Sequence, residues 1–258
     1  MECNATDVGL ARARSSDGIV VGIVRFLICL FFAAAAGVAL PAPVFEDNMA
    51  QRTLACTGCH GRQGRAGPDG YYPRIAGKPA GYLYNQLLSF RDGRRRYGLM
   101  ARLLDPLSDE YLLEIAQHFA SIELPYPPPQ PSSAPAAQLQ RGQQLALHGD
   151  GAARIPACVQ CHGESLTGVA PNTPGLLGLP RDYLNAQLGA WRSGQRRAHA
   201  PDCMAQIASR LEPRDLAAVT AWLSAQSLPA DPRPARALSR PPQIACGSAS
   251  RPAGSPAS

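Results

Sequence analysis

Cys56-Thr57-Gly58-Cys59-His60 and Cys158-Val159-Gln160-Cys161-His162 are two copies of one pattern, C-x-x-C-H. Positions i, i+3 and i+4 of a helical turn share one face. Each copy therefore presents two thiols and an imidazole on the same side of a short helix. A single C-x-x-C is ambiguous between a zinc half-site, a redox dithiol and coincidence. A thioredoxin-like dithiol lacks the trailing histidine and sits in a βαβ setting, for which this chain gives no signal. A zinc site built from four cysteines explains neither histidine and needs a short loop between its pairs.

Two copies, each followed by the same downstream residues, point instead to covalent haem attachment. Cys56 and Cys59 would add to the two vinyl groups of one porphyrin edge, with His60 beneath the iron. Cys158, Cys161 and His162 would hold a second haem c in the same way. The repeat extends beyond the motifs. Pro73 aligns with Pro174, Gly77 with Gly178, Tyr82-Leu83 with Tyr183-Leu184, Gln86-Leu87 with Gln187-Leu188, Phe90-Arg91 with Trp191-Arg192, and Gly93 with Gly194. Each unit then offers one methionine ahead of its last helix, Met100 and Met204. A thioether is a soft ligand suited to haem iron, and His/Met ligation raises the reduction potential. With both axial positions filled, iron has no open site for substrate, so this ligand set implies electron transfer. The plainer reading of each methionine is a filler of core gaps, and His199 and Cys203 are rivals of Met204. Met49 lies too close before its motif and reads as core.

The chain has 258 residues, which fits one or two domains, and the repeat decides for two. Units this small have a limited core of their own. An embedded haem, apolar on both faces, would complete it, in keeping with an aromatic content of 6%. Of the 8 cysteines, four belong to the motifs, Cys3 lies in the polar start of the chain and Cys29 in an apolar leader. Cys203 and Cys246 are either a disulfide of an oxidising compartment or two unpaired thiols, and connectivity cannot be read from sequence. The net charge of +6 suits docking to acidic protein surfaces or anionic membranes. No nucleic-acid motif is present, so nucleic acid is not an expected partner.

Residues 1–42 are expected to form an export leader. Phe26–Leu40 is an apolar run of signal-peptide size, with small residues suited to cleavage near Ala36–Ala42. The alternative is an uncleaved membrane anchor in which Arg25 snorkels. The first domain is expected over 44–124. Asp47 should cap a short helix into the first motif. Helices follow over about 80–92, with Leu83, Leu87 and Phe90 on one stripe, and over about 108–121. Ser108 caps the latter, and its apolar face is Leu112, Ile115, Ala116 and Phe119. Residues 125–136 read as a semi-rigid Pro-rich linker. The second domain, 137–228, should hold helices over about 137–148, 181–193 and 213–225. The last repeats the register with Leu216, Val219, Thr220 and Leu223. No segment alternates as a strand. Residues 229–258, rich in Pro, Ala, Ser and Arg, are expected to be a disordered tail.

The order C-x-x-C-H, proline, then methionine before a last amphipathic helix resembles class I cytochrome c. Two such units behind an export leader resemble the dihaem cytochrome c4 family over about residues 45–228. The resemblance implies an all-α fold of two tandem class I cytochrome c domains, each wrapped around one covalently bound haem, with the haems facing each other near the domain interface. It implies that the carbonyls of Pro73 and Pro174 accept the Nδ1–H of His60 and His162, fixing tautomer and ring orientation. It also implies a periplasmic electron shuttle whose partners are redox proteins. The donor would be a quinol-oxidising complex or a dehydrogenase, and the acceptor a terminal oxidase. Two departures stand out. The first domain lacks a counterpart of Gly142, and the stretch His199-Ala200-Pro201-Asp202-Cys203 lengthens the approach to Met204.

Other residues carry plainer readings. Arg91, Arg94, Arg95 and Arg96, with Arg192, Arg196 and Arg197, would pair with haem propionates or a docking protein, or form a solvated face. His118 reads as packing and His148 as a helix-end residue. Two further functions compete with the shuttle. One is the electron-accepting dihaem subunit of a periplasmic dehydrogenase, of the flavocytochrome sulfide dehydrogenase type. The other is a dihaem peroxidase, which requires one iron with an open axial position.

Overall fold

The computed structural model describes residues 44, 46–67 and 70–249; the expected leader and the end of the tail lie outside them. Helix α1 (Met49–Arg52) starts at Asn48, whose side chain accepts from the Gln51 amide. The expected cap, Asp47, instead pairs with Arg52, Oδ1 to Nε at 2.6 Å. Thr53, 1% exposed, interrupts the helix by donating its hydroxyl back to the Met49 carbonyl. Helix α2 (Leu54–His60) carries the first motif and stops at Gly61, where φ is 73°. A Cβ there would lie 2.3 Å from the Ala66 oxygen, so this stop requires glycine. A single 3₁₀ turn (Arg62–Gly64) follows.

The rest of the first half comprises α3 (Ala80–Arg91), α4 (Gly98–Leu104) and α5 (Asp109–Ser121). Ser108 caps α5 by accepting from the Tyr111 amide, and Leu112, Ile115, Ala116 and Phe119 are its buried stripe, as the periodicity indicates. Helix α3 departs from expectation. Leu83 and Phe90 are buried, but Leu87 is only half-buried, while Tyr84 and Leu88 are fully inside. The cause is a second neighbour: α3 packs on α5 and also meets the second half, where the Tyr82 amide donates to the Pro171 carbonyl. Helix α4 was not expected. It spans only two turns, too few for a period to show, and Tyr97 gives it no side-chain cap.

The second half comprises α6 (Ala136–Leu147), α7 (Val159–His162), strands β1 (Gly168–Val169) and β2 (Thr173–Pro174), then α8 (Arg181–Arg192), α9 (Cys203–Arg210) and α10 (Pro213–Ser224). The antiparallel β1–β2 pair corrects the expectation of no strand; two residues per strand cannot display alternation. Helix α6 crosses α10 at Gly142, where a Cβ would lie 2.2 Å from the Ala218 oxygen. Arg141, one position before it, donates to Asp215 of α10 at 2.8 and 2.9 Å. Each half has its own apolar cluster, around Leu88, Leu112 and Phe119 in the first and Leu145, Leu184 and Val219 in the second.

Two connecting segments are held more firmly than composition suggests. Arg74 donates to the Leu124 and Pro125 carbonyls and lies 4.0 Å over the Tyr126 ring, which docks the start of the Pro-rich stretch. The tail is not disordered as far as Ala249. Ala235 exchanges backbone hydrogen bonds with Gly168 and Ala170, and Cys246 is joined to Cys203. A covalent link and backbone pairing here replace the apolar burial that the segment lacks. Residues 46–249 belong to one compact unit. Among the described residues no helix is long and apolar enough to cross a membrane.

Candidate functional site

His60 closes α2 and His162 closes α7, and both are buried, at 9% and 7% exposure. His60 Nδ1 lies 2.9 Å from the Pro73 carbonyl, and His162 Nδ1 lies 2.7 Å from the Pro174 carbonyl. A carbonyl only accepts, so each Nδ1 carries the proton and each Nε2 keeps its lone pair. Burial pushes both imidazoles below their usual pKa, which keeps them in the neutral form that binds a metal. The glycine stop after each histidine turns the chain back, so that the downstream proline reaches the ring.

Cys56, Cys59, Cys158 and Cys161 are all free thiols. Burial pushes the Cys158 thiol up to about 12 and raises Cys56 and Cys161 as well. A redox dithiol needs a lowered thiol pKa, and the raised Cys158 and Cys161 thiols run opposite to that requirement. Among the described residues no three His, Cys, Asp or Glu side chains converge to hold a metal ion. The donors fit covalent haem instead: two thiols and one oriented imidazole per helical turn. Trp191 Nε1, buried and without an acceptor among the described residues, adds a donor suited to a carboxylate such as a porphyrin carries.

Met100 is partly buried against the first core, on α4 rather than in a loop. Met204 is the second residue of α9. Its rival Cys203 is spent in the disulfide with Cys246. Tyr72 meets the His60 ring edge-on at 6.0 Å, and Tyr71 in turn stacks edge-on against Tyr72.

The arginine clusters divide. Arg95 donates to Gln86 and Gln187, and Arg196 donates to the same two side chains, at 2.6 to 3.1 Å. The solvated-face reading therefore fails for both; Arg196 is only 5% exposed. Arg91 and Arg192 each donate to the carbonyl of the leucine that leads into the last helix, Leu107 and Leu211. Arg94 pairs with Asp92. The seam formed by Arg95 and Arg196 was missed in sequence, although both arginines keep the register that aligns Gln86 with Gln187.

No sequence-family profile matches the chain. It is 37% identical over 206 residues, 80% of this chain and 90% of the relative, to a thiosulfate dehydrogenase electron acceptor of Thiomonas intermedia. It is 32% identical over 174 residues to cytochrome c4 of Pseudomonas aeruginosa, covering 84% of that protein. The crystal structure of reduced recombinant cytochrome c4 from Pseudomonas stutzeri superposes with a TM-score of 0.59 at 28% identity, covering 69% of this chain and 97% of that one. Thiosulfate dehydrogenase (TsdBA) from Marichromatium purpuratum superposes with a TM-score of 0.60 at 30% identity over 67% of this chain, which spans 36% of that longer one.

Proposed function

The chain belongs to the dihaem cytochrome c4 family, and from that premise we propose that it shuttles single electrons in the periplasm towards a terminal oxidase. It is a dihaem electron-transfer cytochrome, not an enzyme in its own right. Its partners are redox proteins. On the proposed reading the donor is a dehydrogenase or a quinol-oxidising complex.

A bound haem c supplies a one-electron couple at its iron. The chain's own residues set the rest. Cys56 and Cys59 would fix one porphyrin, and Cys158 and Cys161 the other. His60 and His162 would ligate through Nε2, with Pro73 and Pro174 holding their rings. Met100 and Met204 would each supply a thioether as the second protein ligand of one iron, leaving no position on it for a substrate. Residues 44–124 and 137–228 are the two haem-bearing modules on this reading, and 1–42 an export leader. The observation that carries the proposal is the matched pair of buried imidazoles, each donating to a proline carbonyl.

A second reading is supported by the relative named thiosulfate dehydrogenase electron acceptor and by the superposed thiosulfate dehydrogenase (TsdBA). It makes a thiosulfate dehydrogenase the donor. The experiment is stopped-flow mixing of the haem-loaded protein with thiosulfate-reduced dehydrogenase, and of the reduced protein with a terminal oxidase. Fast oxidation by the oxidase supports the shuttle. Reduction by the dehydrogenase alone, with no transfer to the oxidase, replaces it with the second reading. Carbon monoxide binding to one ferrous haem would overturn both in favour of a peroxidase.

A further inference from the structure

The two methionines differ in what holds them. Helix α4, which carries Met100, begins at Tyr97 without a side-chain cap. Helix α9 begins at Cys203, beside Met204, and its start is pinned from several directions. Asp202 accepts from the Ala205 and Ala198 amides at 3.0 and 2.7 Å. Cys203 is bonded to Cys246, 43 residues further on. The Gly247 amide donates to the Pro201 carbonyl at 3.0 Å, and Ser248 Oγ accepts from the His199 amide at 3.2 Å. Gly247 lies so close to this loop that a Cβ would stand 2.1 Å from the Ala200 oxygen.

We infer that residues 246–249, fastened by the Cys203–Cys246 disulfide, form a strap that positions Met204 for the second iron and keeps His199 from replacing it. The inference rests on the reading of Met204 as the axial ligand. The strap answers a local problem. Residues 199–203 lengthen the loop ahead of Met204 relative to the first half, and a longer loop has more conformers in which the sulfur is misplaced. It also carries an imidazole, a competing ligand for haem iron. The strap removes that freedom by closing the loop covalently and by holding the His199 backbone. Its far end reaches beyond the loop. The Ser248 carbonyl accepts from Asn85 of α3, and the Ala249 carbonyl from Asn172. The loop is thereby referenced to both halves. Cys203, Cys246 and Ser248 are positioning residues; none of them needs to touch the haem.

The test is the C203S/C246S double variant, matured with haem and compared with the parent in two ways. One is the far-red sulfur-to-iron absorption band of the ferric protein during denaturant titration. The other is a spectroelectrochemical redox titration. The expected result is loss of about half the band at lower denaturant than in the parent, with one potential falling and the other unchanged, because losing Met ligation lowers potential. An unaltered band profile and two unaltered potentials would overturn the inference. Met204→Ala separates the two layers. If that variant keeps the whole band, the ligand reading itself fails. If it loses about half while the double variant matches the parent, the strap alone fails. Should the double variant not load haem, Gly247→Ala displaces the strap by a single methyl group and is read by the same criteria.

Discussion

Arg95 and Arg196 lie opposite each other in an antiparallel backbone bridge, and both guanidinium groups donate to the same two acceptors, Gln86 Oε1 and Gln187 Oε1. Each also covers the aromatic ring that ends its own helix, Arg95 over Phe90 at 4.4 Å and Arg196 over Trp191 at 3.8 Å. The seam is thus built twice from one sequence pattern, once by each half. Flanking amides complete it, Arg96 to the Gln195 carbonyl and Arg197 to that of Arg94.

Arg196→Ala leaves two amide oxygens with one donor partner fewer and removes the cover from Trp191. We expect a net loss of about 2 kcal/mol, two charge-assisted hydrogen bonds and one cation–π contact offset in part by the desolvation that burial of the guanidinium costs. We also expect the halves to uncouple. Denaturant unfolding followed separately at each haem should change from coincident to staggered curves. Coincident curves with an unshifted midpoint would show that the seam does not join the halves energetically.

Covalent loading is read by mass. Cys158→Ala with Cys161→Ala should yield a chain carrying one haem equivalent instead of two, with the first-half His60 site still loaded. Intact-protein mass spectrometry after haem maturation decides it. Two equivalents in the variant, or none in the parent, would contradict the attachment sites.

The attachment motifs and the stripe of α5 were legible because they are local. C-x-x-C-H declares itself within five residues, and Leu112, Ile115, Ala116 and Phe119 repeat at helical period. The Asn48 cap was misread as Asp47 because both side chains can cap, and only the Arg52 guanidinium, which draws Asp47 away, decides between them. Helices α4 and α9 escaped because short elements take their stability from packing rather than period. The fastened tail was hidden for a different reason. Its composition speaks of disorder, and a single distant disulfide outweighs composition.

Lys78 is 5% exposed, and no carboxylate is among its described contacts. Burial, with the nearby Arg74 charge adding to it, pushes its amine down to about 8. The group facing it is the Tyr126 ring, 5.7 Å away. A lysine whose folded pKa is lowered opposes folding wherever the unfolded chain holds the proton more tightly. The penalty is therefore full below about pH 8 and vanishes as pH rises through the unfolded value near 10.4. The repeat places Leu179 at the matching position. Lys78→Leu should stabilise the protein by about 1–2 kcal/mol at pH 7, after allowing for the lost cation–π contact. The gain should shrink between about pH 8 and 10. Urea titrations across that range measure it, and a destabilised variant at pH 7 would mean that an anion faces the amine in the haem-loaded protein.

Asp215 gives the opposite sign. It is buried on α10, and Arg141 donates to both its oxygens, which holds its carboxyl below the usual carboxylate range. A lowered folded pKa contributes stability above the unfolded value, near 3.9, and loses it as pH falls through the folded one. Arg141 is about a third exposed, so solvent screens the pair. Asp215→Asn should cost about 1–2 kcal/mol at pH 7, within the range for hydrogen bonds to charged groups discounted for that exposure. The difference between parent and variant should begin to close near about pH 4, the unfolded value, and narrow further as pH falls towards the lowered folded one. Arg141 also donates to Asp150 at 2.8 Å, so the variant keeps one ion pair at this helix crossing. Thermal melts at several pH values would show it. A gap between parent and variant that persists unchanged into acid would mean that Asp215 acts through packing at the Gly142 contact and not through its charge.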